Sequence, residues 1–514
     1  MKCFQLLRLL TLCFFLMMEI VHVYASETFT ENGLSYTVLK DSNYLSVTGY
    51  TPSANAVCSN ELHIPAVVVH DGKKYNVDKI SSNAFRGVVE LQSVVIEDGV
   101  KTISSNAFGY CTNLRSVYIP ASVDMIANQV FGSCGSLKSI VVDAKNDTYD
   151  SRGGCNAIID TDRDELVIAC NATVIPASVK SIARDAFFYC SMVEHIDVPE
   201  GVERIGSEAF WGCGSLKSIS LPESLVGLGY HAFRNCCSLA SVKIPKNVKE
   251  IGEGNIFAGC FGLVSVSVDK ANAFYDSRSG CNGIVRKADS TLVAACRTTT
   301  LCNDIRAIGD GCFYDMIKHS IHIPEAVTRI SERAFDNCYE LDRITVAKGN
   351  SQFISPEGTN ALLSRDGKTL VLGGRMTIIP QSVENIGDCA FDSRYMNSIL
   401  VLPEKIQTIG ASAFENCGAI REVILPETLK SIGIFAFNSC KNLVVAKINT
   451  TANIPLYAFS GCSSLSTVSL PEGMKSIHEF AFSNCPNLRR VTIPSTVVDV
   501  DRCAFDASTQ VIKK

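Results

Sequence analysis

The stretch Ile175-Pro-Ala-Ser-Val-Lys-Ser-Ile-Ala-Arg-Asp-Ala-Phe187-Phe-Tyr-Cys190 holds most of one turn of a pattern that this 514-residue chain repeats. Its phenylalanine, preceded by Ala in most copies, returns as Phe85, Phe108, Phe131, Phe187, Phe210, Phe233, Phe257, Phe313, Phe335, Phe391, Phe414, Phe437, Phe459, Phe482 and Phe505. Eleven of the fourteen steps are 22 to 24 residues, and the other three are all 56. A repeat of that length marks a solenoid, in which no coil buries its apolar face alone and stability is shared between neighbours.

One unit read from Leu114 shows how each coil is built. Leu114, Val117 and Ile119 fit the L-x-x-L-x-L strand of a leucine-rich repeat. Alternation turns Val117 and Ile119 inward and leaves Ser116 and Tyr118 outside. Pro120 ends the strand because it cannot donate to a ladder. The return arm carries Ala-Phe on a tight turn, where the small Ala lets coils approach and each buried Phe contributes roughly 1.5–3 kcal/mol.

The run Ile-Pro-x-Ser-Val-x-x-Ile-x-x-x-Ala-Phe-x-x-Cys, as it stands in Ile175 to Cys190, resembles the BspA-like (type 5) leucine-rich repeat. The resemblance covers roughly residues 60 to 514 in fifteen copies. It implies a leucine-rich repeat solenoid (α/β-type, β-rich) of about fifteen coils with three inserted β-hairpins and an N-terminal β cap. It also implies an exported or surface protein of a mucosa-associated microbe. Some members of the family are adhesins, and the resemblance carries no catalytic residues with it.

The ends of the chain set the expected domains. Lys2 and Arg8 precede the apolar run Leu9 to Met18, and Val23-Tyr24-Ala25 stands before Ser26, so residues 1–25 read as a secretory signal peptide. Past it, no apolar run reaches the roughly 18 residues that span a bilayer. From 26 to 79 the period is absent. A hairpin (Leu34 to Leu39 with Tyr44 to Gly49) and strands over Glu61 to Val69 and Lys74 to Val77 are expected there as a cap, with a separate ligand-binding module as the alternative. Residues 80–514 form the solenoid, with inserts at about 143–174, 269–300 and 347–378. A net charge of -5 and a pI near 6.0 argue against a nucleic-acid surface. With Trp211 the single tryptophan, an aromatic platform for sugars is poorly supplied.

Each 56-residue step is one unit plus an insert of about 33 residues. The first two inserts are close copies. Tyr149, Asp150, Ser151, Arg152, Cys155, Asn156 and Cys170 return as Tyr275, Asp276, Ser277, Arg278, Cys281, Asn282 and Cys296. The third keeps Asn360 but has Thr359 and Gly374 in place of both cysteines. That joint loss, with each pair centred on its hairpin turn, predicts disulfides Cys155–Cys170 and Cys281–Cys296, against buried thiols as the alternative.

Eleven further cysteines follow the repeat Phe at +3, among them Cys111, Cys190, Cys338 and Cys485. Stacked coils hold such side chains about 4.8 Å apart, too far for a disulfide, so they read as a ladder of buried reduced thiols. The spacing is not a metal-ligand spacing and no histidines accompany it. Asp160, Asp162 and Asp164 imitate the start of a calcium loop, but Glu165 stands where the loop needs Gly, and an acidic hairpin turn is the expectation. His319 and His322 would face opposite sides of a strand, and His195 and His231 lie on different coils. No Gly-x-Ser-x-Gly elbow, Walker loop or His-Glu-x-x-His helix is present, so neither an enzyme nor a cofactor is expected. Asn146-Asp-Thr, Asn171-Ala-Thr and Asn449-Thr-Thr would accept glycans in a eukaryotic host.

Binding is therefore sought on the outward strand positions. Most are small and hydroxylic, as a solvated β-face requires. Two patches depart from this: Val95, Tyr118 and Val141, and further on Ile399, Val401, Glu422, Ile424 and Val445. Exposed apolar clusters on an extended surface mark partner contacts. The expectation is a monomeric adhesin or interaction scaffold that binds a protein or other cell-surface macromolecule, host matrix included, through the strand face and projecting hairpins. A structural spacer in the envelope is the alternative, and a glycan-recognising accessory protein a more distant one.

Overall fold

A computed structural model describes residues 27–39, 42–51, 61–395 and 397–514, and the expected signal peptide at 1–25 lies outside them. The chain packs as two compact units, one ending at Val174 and one running Ile175–Lys514. Among the described residues both are β-structure, with helix confined to two single 3₁₀ turns, Arg152–Gly154 and Arg278–Gly280.

In the first unit the strands Glu61–Ile64, Ser93–Ile96, Ser116–Ile119 and Ser139–Val142 stack in parallel as one wall. The pairs Thr102–Ile103 and Met125–Ile126 stack in parallel as a second. Lys73–Ile80 extends that second wall in parallel, followed by Tyr44–Tyr50 and then by the antiparallel strands Leu34–Val38 and Thr28–Glu31. The non-repeating N-terminal segment thus adds strands to both walls. Inward residues are dry, as alternation requires: Val117 and Ile119 are buried while Ser116 and Tyr118 are half-exposed.

The second unit repeats the scheme. Its outer ladders include Ile399–Leu400, Glu422–Leu425, Val445–Ile448 and Thr467–Ser469. Its second wall includes Ser181–Ile182, Arg204–Ile205, Gly227–Leu228 and Glu250–Ile251.

The third side of each coil is the Ala-Phe turn. Here, where the next coil follows without an insert, the amide of the repeat Phe donates to the residue before the next one, as in Phe85 N to Ala107 O at 2.8 Å and Phe210 N to Ala232 O at 2.8 Å. The rings stack inside with centroids 4.9 Å apart for Phe85 and Phe108 and 5.3 Å for Phe414 and Phe437. Left-handed residues bracket the turn two positions before and two after the Phe: Glu208 (φ 60°) and Gly212 (φ 78°) around Phe210, His231 (φ 51°) and Asn235 (φ 59°) around Phe233. Even Phe435, Tyr457 and Phe480 take this conformation, which costs an L-residue about 1–2 kcal/mol. Their rings stack at 5.0 Å in compensation. Coil-to-coil packing overrides local preference here.

The inserts do not project. Ala157–Asp160 is buried at every position, and Ala361, Leu362 and Leu363 are buried likewise. Thr291–Ala295 and Thr369–Gly373 pair in parallel with the next second-wall strands, Ala307–Ile308 and Asn385–Ile386. Each hairpin is part of the wall, with its turn tip at the surface. The chain therefore makes about 19 turns, more than the fifteen coils that carry the phenylalanine, because the inserts and the N-terminal segment wind in with them.

Candidate functional site

On the first unit, register aligns Val95, Tyr118 and Val141 in one row. Val95 and Tyr118 are half-buried and Val141 is exposed. The Tyr118 hydroxyl donates to the Asp143 carboxylate, a bond that pushes the tyrosine pKa up and holds the Asp143 carboxyl below its usual range. Tyr118 is thereby tied to the wall.

The second unit carries the stronger patch. Ile399, Glu422 and Val445 lie opposite one another in one row, and Ile424 faces Lys447 in the other. Ile399 is 49% exposed, Val401 69% and Ile424 40%. Lys447 Nζ meets Glu422 Oε1 at 2.7 Å. The result is an apolar surface with a neutralised ion pair at its centre. Such an exposed pair is worth about 0–1 kcal/mol and serves orientation more than stability.

The other expected polar sites become structural. His195 and His322 bond sideways to Ser218 Oγ (2.8 Å) and Thr345 Oγ1 (3.0 Å) of the next coil. In the acidic hairpin turn Asp160 pairs with Arg163 at 2.8 Å, and Arg152 joins Asp150 and Asp164 at 2.8 and 2.7 Å. No group of three or more His, Cys, Asp or Glu among the described residues could hold a metal ion.

The two expected disulfides are not formed: Cys155, Cys170, Cys281 and Cys296 are all free, buried thiols. A β-bulge explains the difference. Near the turn Asp160 pairs with Glu165 and Ile159 with Leu166, the symmetric register that would bring the cysteines together. Beyond it the register shifts, so that Ile158 faces Ile168 and Ala157 faces Ala169. That shift moves Cys170 one place out of line, and its Sγ donates to Asn156 O at 3.2 Å. The second hairpin has the same bulge, and Cys296 Sγ donates to Asn282 O at 3.3 Å. Burial pushes the Cys155 and Cys170 thiols up, and Cys281 to about 11, so these three stay protonated thiols at neutral pH.

An asparagine launches each insert, a role not anticipated from sequence. Asn146 Nδ2 donates to Pro120 O (2.9 Å) and Val123 O (2.8 Å), and its Oδ1 accepts from Thr148 N (2.9 Å) and Tyr149 N (2.8 Å). Asn272 and Asn350 repeat all four bonds. A buried amide so engaged is no glycan acceptor, which removes Asn146 from the candidate sequons. The signal was in the sequence, as an Asn three residues before Tyr149, Tyr275 and Phe353.

The +3 cysteines are buried free thiols. From Cys111 on Phe85 O to Cys485 on Phe459 O, ten of them donate to the carbonyl of the preceding repeat Phe at 2.9–3.3 Å. Where the column reaches Phe391 the residue is Arg394. It is 1% exposed, and its guanidinium reaches Phe335 O, Gly373 O (3.1 Å), Cys389 O (2.8 Å) and Ala390 O (3.1 Å).

A BspA type leucine rich repeat region matches in six copies, over residues 73–152, 168–279, 293–357 and 384–512, which is more than half of the chain. The chain belongs to the BspA type leucine-rich repeat family. Solved structures similar to it include a leucine rich cell surface protein from Faecalibacterium prausnitzii, 22% identical, covering 95% of each chain at a TM-score of 0.39. A leucine-rich repeat protein from Bacteroides ovatus is 25% identical, covering 95% of this chain and 99% of that one at a TM-score of 0.33. The pneumococcal vaccine antigen PcpA is 18% identical over 95% and 99%, also at 0.33. No curated protein matches the chain. Among the described residues no helix is long and apolar enough to cross a membrane.

Proposed function

We propose that this BspA-type chain is an exported, non-catalytic binding protein of the cell surface, and that it takes up a protein partner on the strand face of its second unit. The observation that carries this reading is the exposed patch of Ile399, Val401 and Ile424 around the Glu422–Lys447 pair. On the first unit the corresponding row is weaker, with only Val141 exposed and Tyr118 tied to Asp143, and most other outward positions are small and hydroxylic. Three exposed branched aliphatics on adjacent strands leave apolar area that a partner would cover. The repeat family supports a protein-interaction role. Because the inserted hairpins lie in the wall, the binding surface is the strand ladder alone.

In the same reading residues 26–79 are the cap. Glu61–Ile64 and Lys73–Ile80 continue the two walls of the first unit and cover what would be open strand edges. Export predicts a mature chain beginning at Ser26, which N-terminal sequencing of the secreted protein checks.

The decisive experiment compares the full mature chain with the triple variant Ile399→Ser, Val401→Ser, Ile424→Ser for binding to purified host matrix glycoproteins and to mucosal cells. Binding should fall roughly tenfold or more, the scale expected when a few apolar anchors are lost. Equal binding by both chains removes the strand face from the reading. If the unaltered chain captures no partner, a spacer in the envelope becomes the better account.

A further inference from the structure

The Ala-Phe turn edge of the second unit holds a cluster that neither the strand face nor the repeat scaffold accounts for. At the position after the repeat phenylalanine stand Trp211, Arg234 and Tyr314 in place of the small residues common elsewhere. The Arg234 guanidinium lies 4.7 Å from the Trp211 ring and 5.4 Å from that of Tyr314, a cation sandwiched between two π-faces. The aromatic edge continues on both sides. Tyr189 lies 6.4 Å from Trp211, and His231, stacked on Tyr230 at 3.6 Å, lies 5.5 Å from Tyr314.

Two details show that this edge is open to a ligand. Tyr189 lies over Gly212, where a Cβ would sit 2.8 Å from two of its ring atoms, and with Phe188 meeting its ring edge-on at 4.8 Å it remains half-exposed. Tyr230 is 44% exposed. Both rings present apolar area beside a cation.

The cation is uncompensated. Arg234 has five N–H donors, yet it makes no side-chain hydrogen bond or ion pair with any described residue, and its Nε is buried without an acceptor. Trp211 Nε1 is likewise buried and unpaired. Asp315 feels the Arg234 charge, which opposes the upward push of burial on its carboxyl, but it forms no ion pair with it. Nearby Arg184 shows the contrast, since its guanidinium is paired with Glu208. An unpaired guanidinium between aromatic faces is preorganised for a carboxylate.

The backbone decides between a peptide and a sugar. Along this edge Phe187 N, Tyr189 N, Phe210 N, Gly212 N and Phe233 N are all spent on carbonyls of the following coil. No ladder edge remains for an extended peptide to join. Recognition must come from ring faces and the guanidinium, and a pyranose bearing a carboxylate uses both.

We propose that the Trp211–Arg234–Tyr314 edge is a binding site for acidic saccharides, with the sugar carboxylate on Arg234 and the ring against Tyr189 or Tyr230. This site is independent of the strand-face reading.

Trp211 is the chain's single tryptophan, so its emission reports this edge alone. The full mature chain is titrated with 3′-sialyllactose, with a hyaluronan hexasaccharide and with lactose. A saturable emission change is expected with at least one acidic saccharide and none with lactose. Arg234→Gln should weaken it roughly tenfold or more, the size of a lost charge-assisted hydrogen bond, and Arg234→Lys should fall between. The triple strand-face variant should bind as the unaltered chain does. If Arg234→Gln melts early, raising salt from about 0.05 to about 0.5 M on the unaltered chain replaces it, and binding should weaken as the charge is screened. The proposal is overturned if neither acidic saccharide is bound or if lactose binds equally. Indifference to Arg234→Gln or to salt, or complete displacement of the sugar by an acidic hexapeptide, overturns it as well.

Discussion

Eleven coils end their Ala-Phe turn with a thiol, ten of them bonded to the carbonyl of the preceding repeat Phe, and the coil of Phe391 ends it with a guanidinium. Both meet the same need. The carbonyl of the preceding repeat Phe points into the core, where it accepts one backbone amide, as from Cys417 N to Phe414 O at 3.3 Å, and a second donor adds about 0.5–1.5 kcal/mol. In a regular coil one uncharged S–H of the next coil suffices. At the third insert the preceding Phe335 is 56 residues away, and the hairpin that closes the gap leaves further carbonyls, Gly373 O among them. One fork of N–H donors answers four acceptors where a thiol answers one. The solenoid thus conserves the satisfied acceptor while the donor changes chemistry with the number of acceptors.

The sharpest way to break this comparison is to remove each donor. Arg394→Ala removes four charge-assisted hydrogen bonds, although Phe335 O, Cys389 O and Ala390 O keep the backbone donors Cys338 N, Asp392 N and Gly373 N, and should cost about 3–5 kcal/mol, seen as an earlier urea midpoint for the second unit. Cys440→Ala, which removes one thiol bond from Phe414 O while Cys417 N still donates to it, should cost about 1 kcal/mol. Arg394→Cys should recover only about 1 kcal/mol of the Ala loss, because a thiol can answer one acceptor. Equal losses at 394 and 440 would show that acceptor number is not what selects the donor.

The charge at Arg394 makes a second, smaller difference, in pH dependence. Asp336 is buried, its Oδ1 has no partner, and burial with the Asp392 carboxylate beside it pushes its pKa up to about 6 despite Arg333 and Arg394. The folded chain therefore binds this proton more tightly than the unfolded one. Its stabilising effect is full below about pH 4 and is lost as pH rises through about 6, an effect of about 3 kcal/mol. Asp336→Asn should remove it, so the difference between variant and unaltered chain grows in the variant's favour from pH 4 to pH 7. His231 works in the opposite sense. Burial pushes its pKa down to about 4, and the stability it contributes is lost as pH falls below its unfolded value near 6.5. The unaltered chain should be flatter in this range than either Asp336→Asn or His231→Gln, which chemical denaturation at stepped pH checks.

Much of the scaffold was legible because it is periodic. A step of about 23 residues in Phe placed the strand, the turn and the thiol column before any coordinate was needed. Arg394 was visible as the break in that column, but its meaning depended on where the Gly373 carbonyl comes to rest. The aromatic edge was hidden for a different reason. Trp211 and Tyr314 are 103 residues apart in sequence, and the second insert separates Phe257 from Phe313 by 56. In space the turn edge closes over that insert, with Gly259 N donating to Asp315 O at 3.3 Å, so residues from both sides of it share one surface. Periodicity assigns a residue to a face, and it cannot say which coils meet across an interruption.

The last comparison is between the first two inserts and the third, and it carries the smallest energetic stake. Symmetry about the turn predicted that Cys155 and Cys170 meet, and one bulged residue, Val167, breaks that symmetry. The thiols instead face the backbone, with Cys170 on Asn156 O. In all three inserts a threonine hydroxyl also serves that carbonyl, Thr173 on Asn156 O, Thr299 on Asn282 O and Thr377 on Asn360 O, while in the third a Cβ on Gly374 would come within 2.6 Å of Leu341 O. Space at the second position, not a shared bond, accounts for the absence of cysteine there. The purified mature chain, unfolded and alkylated without reductant, should therefore carry the label on all four cysteines in peptide mass maps. A disulfide-linked Cys155–Cys170 or Cys281–Cys296 peptide would mean that the bulge relaxes in the oxidised protein. Only a ladder without the bulge, with Val167 paired to Ile158, sets Cys155 opposite Cys170, within the Cα separation that a disulfide spans.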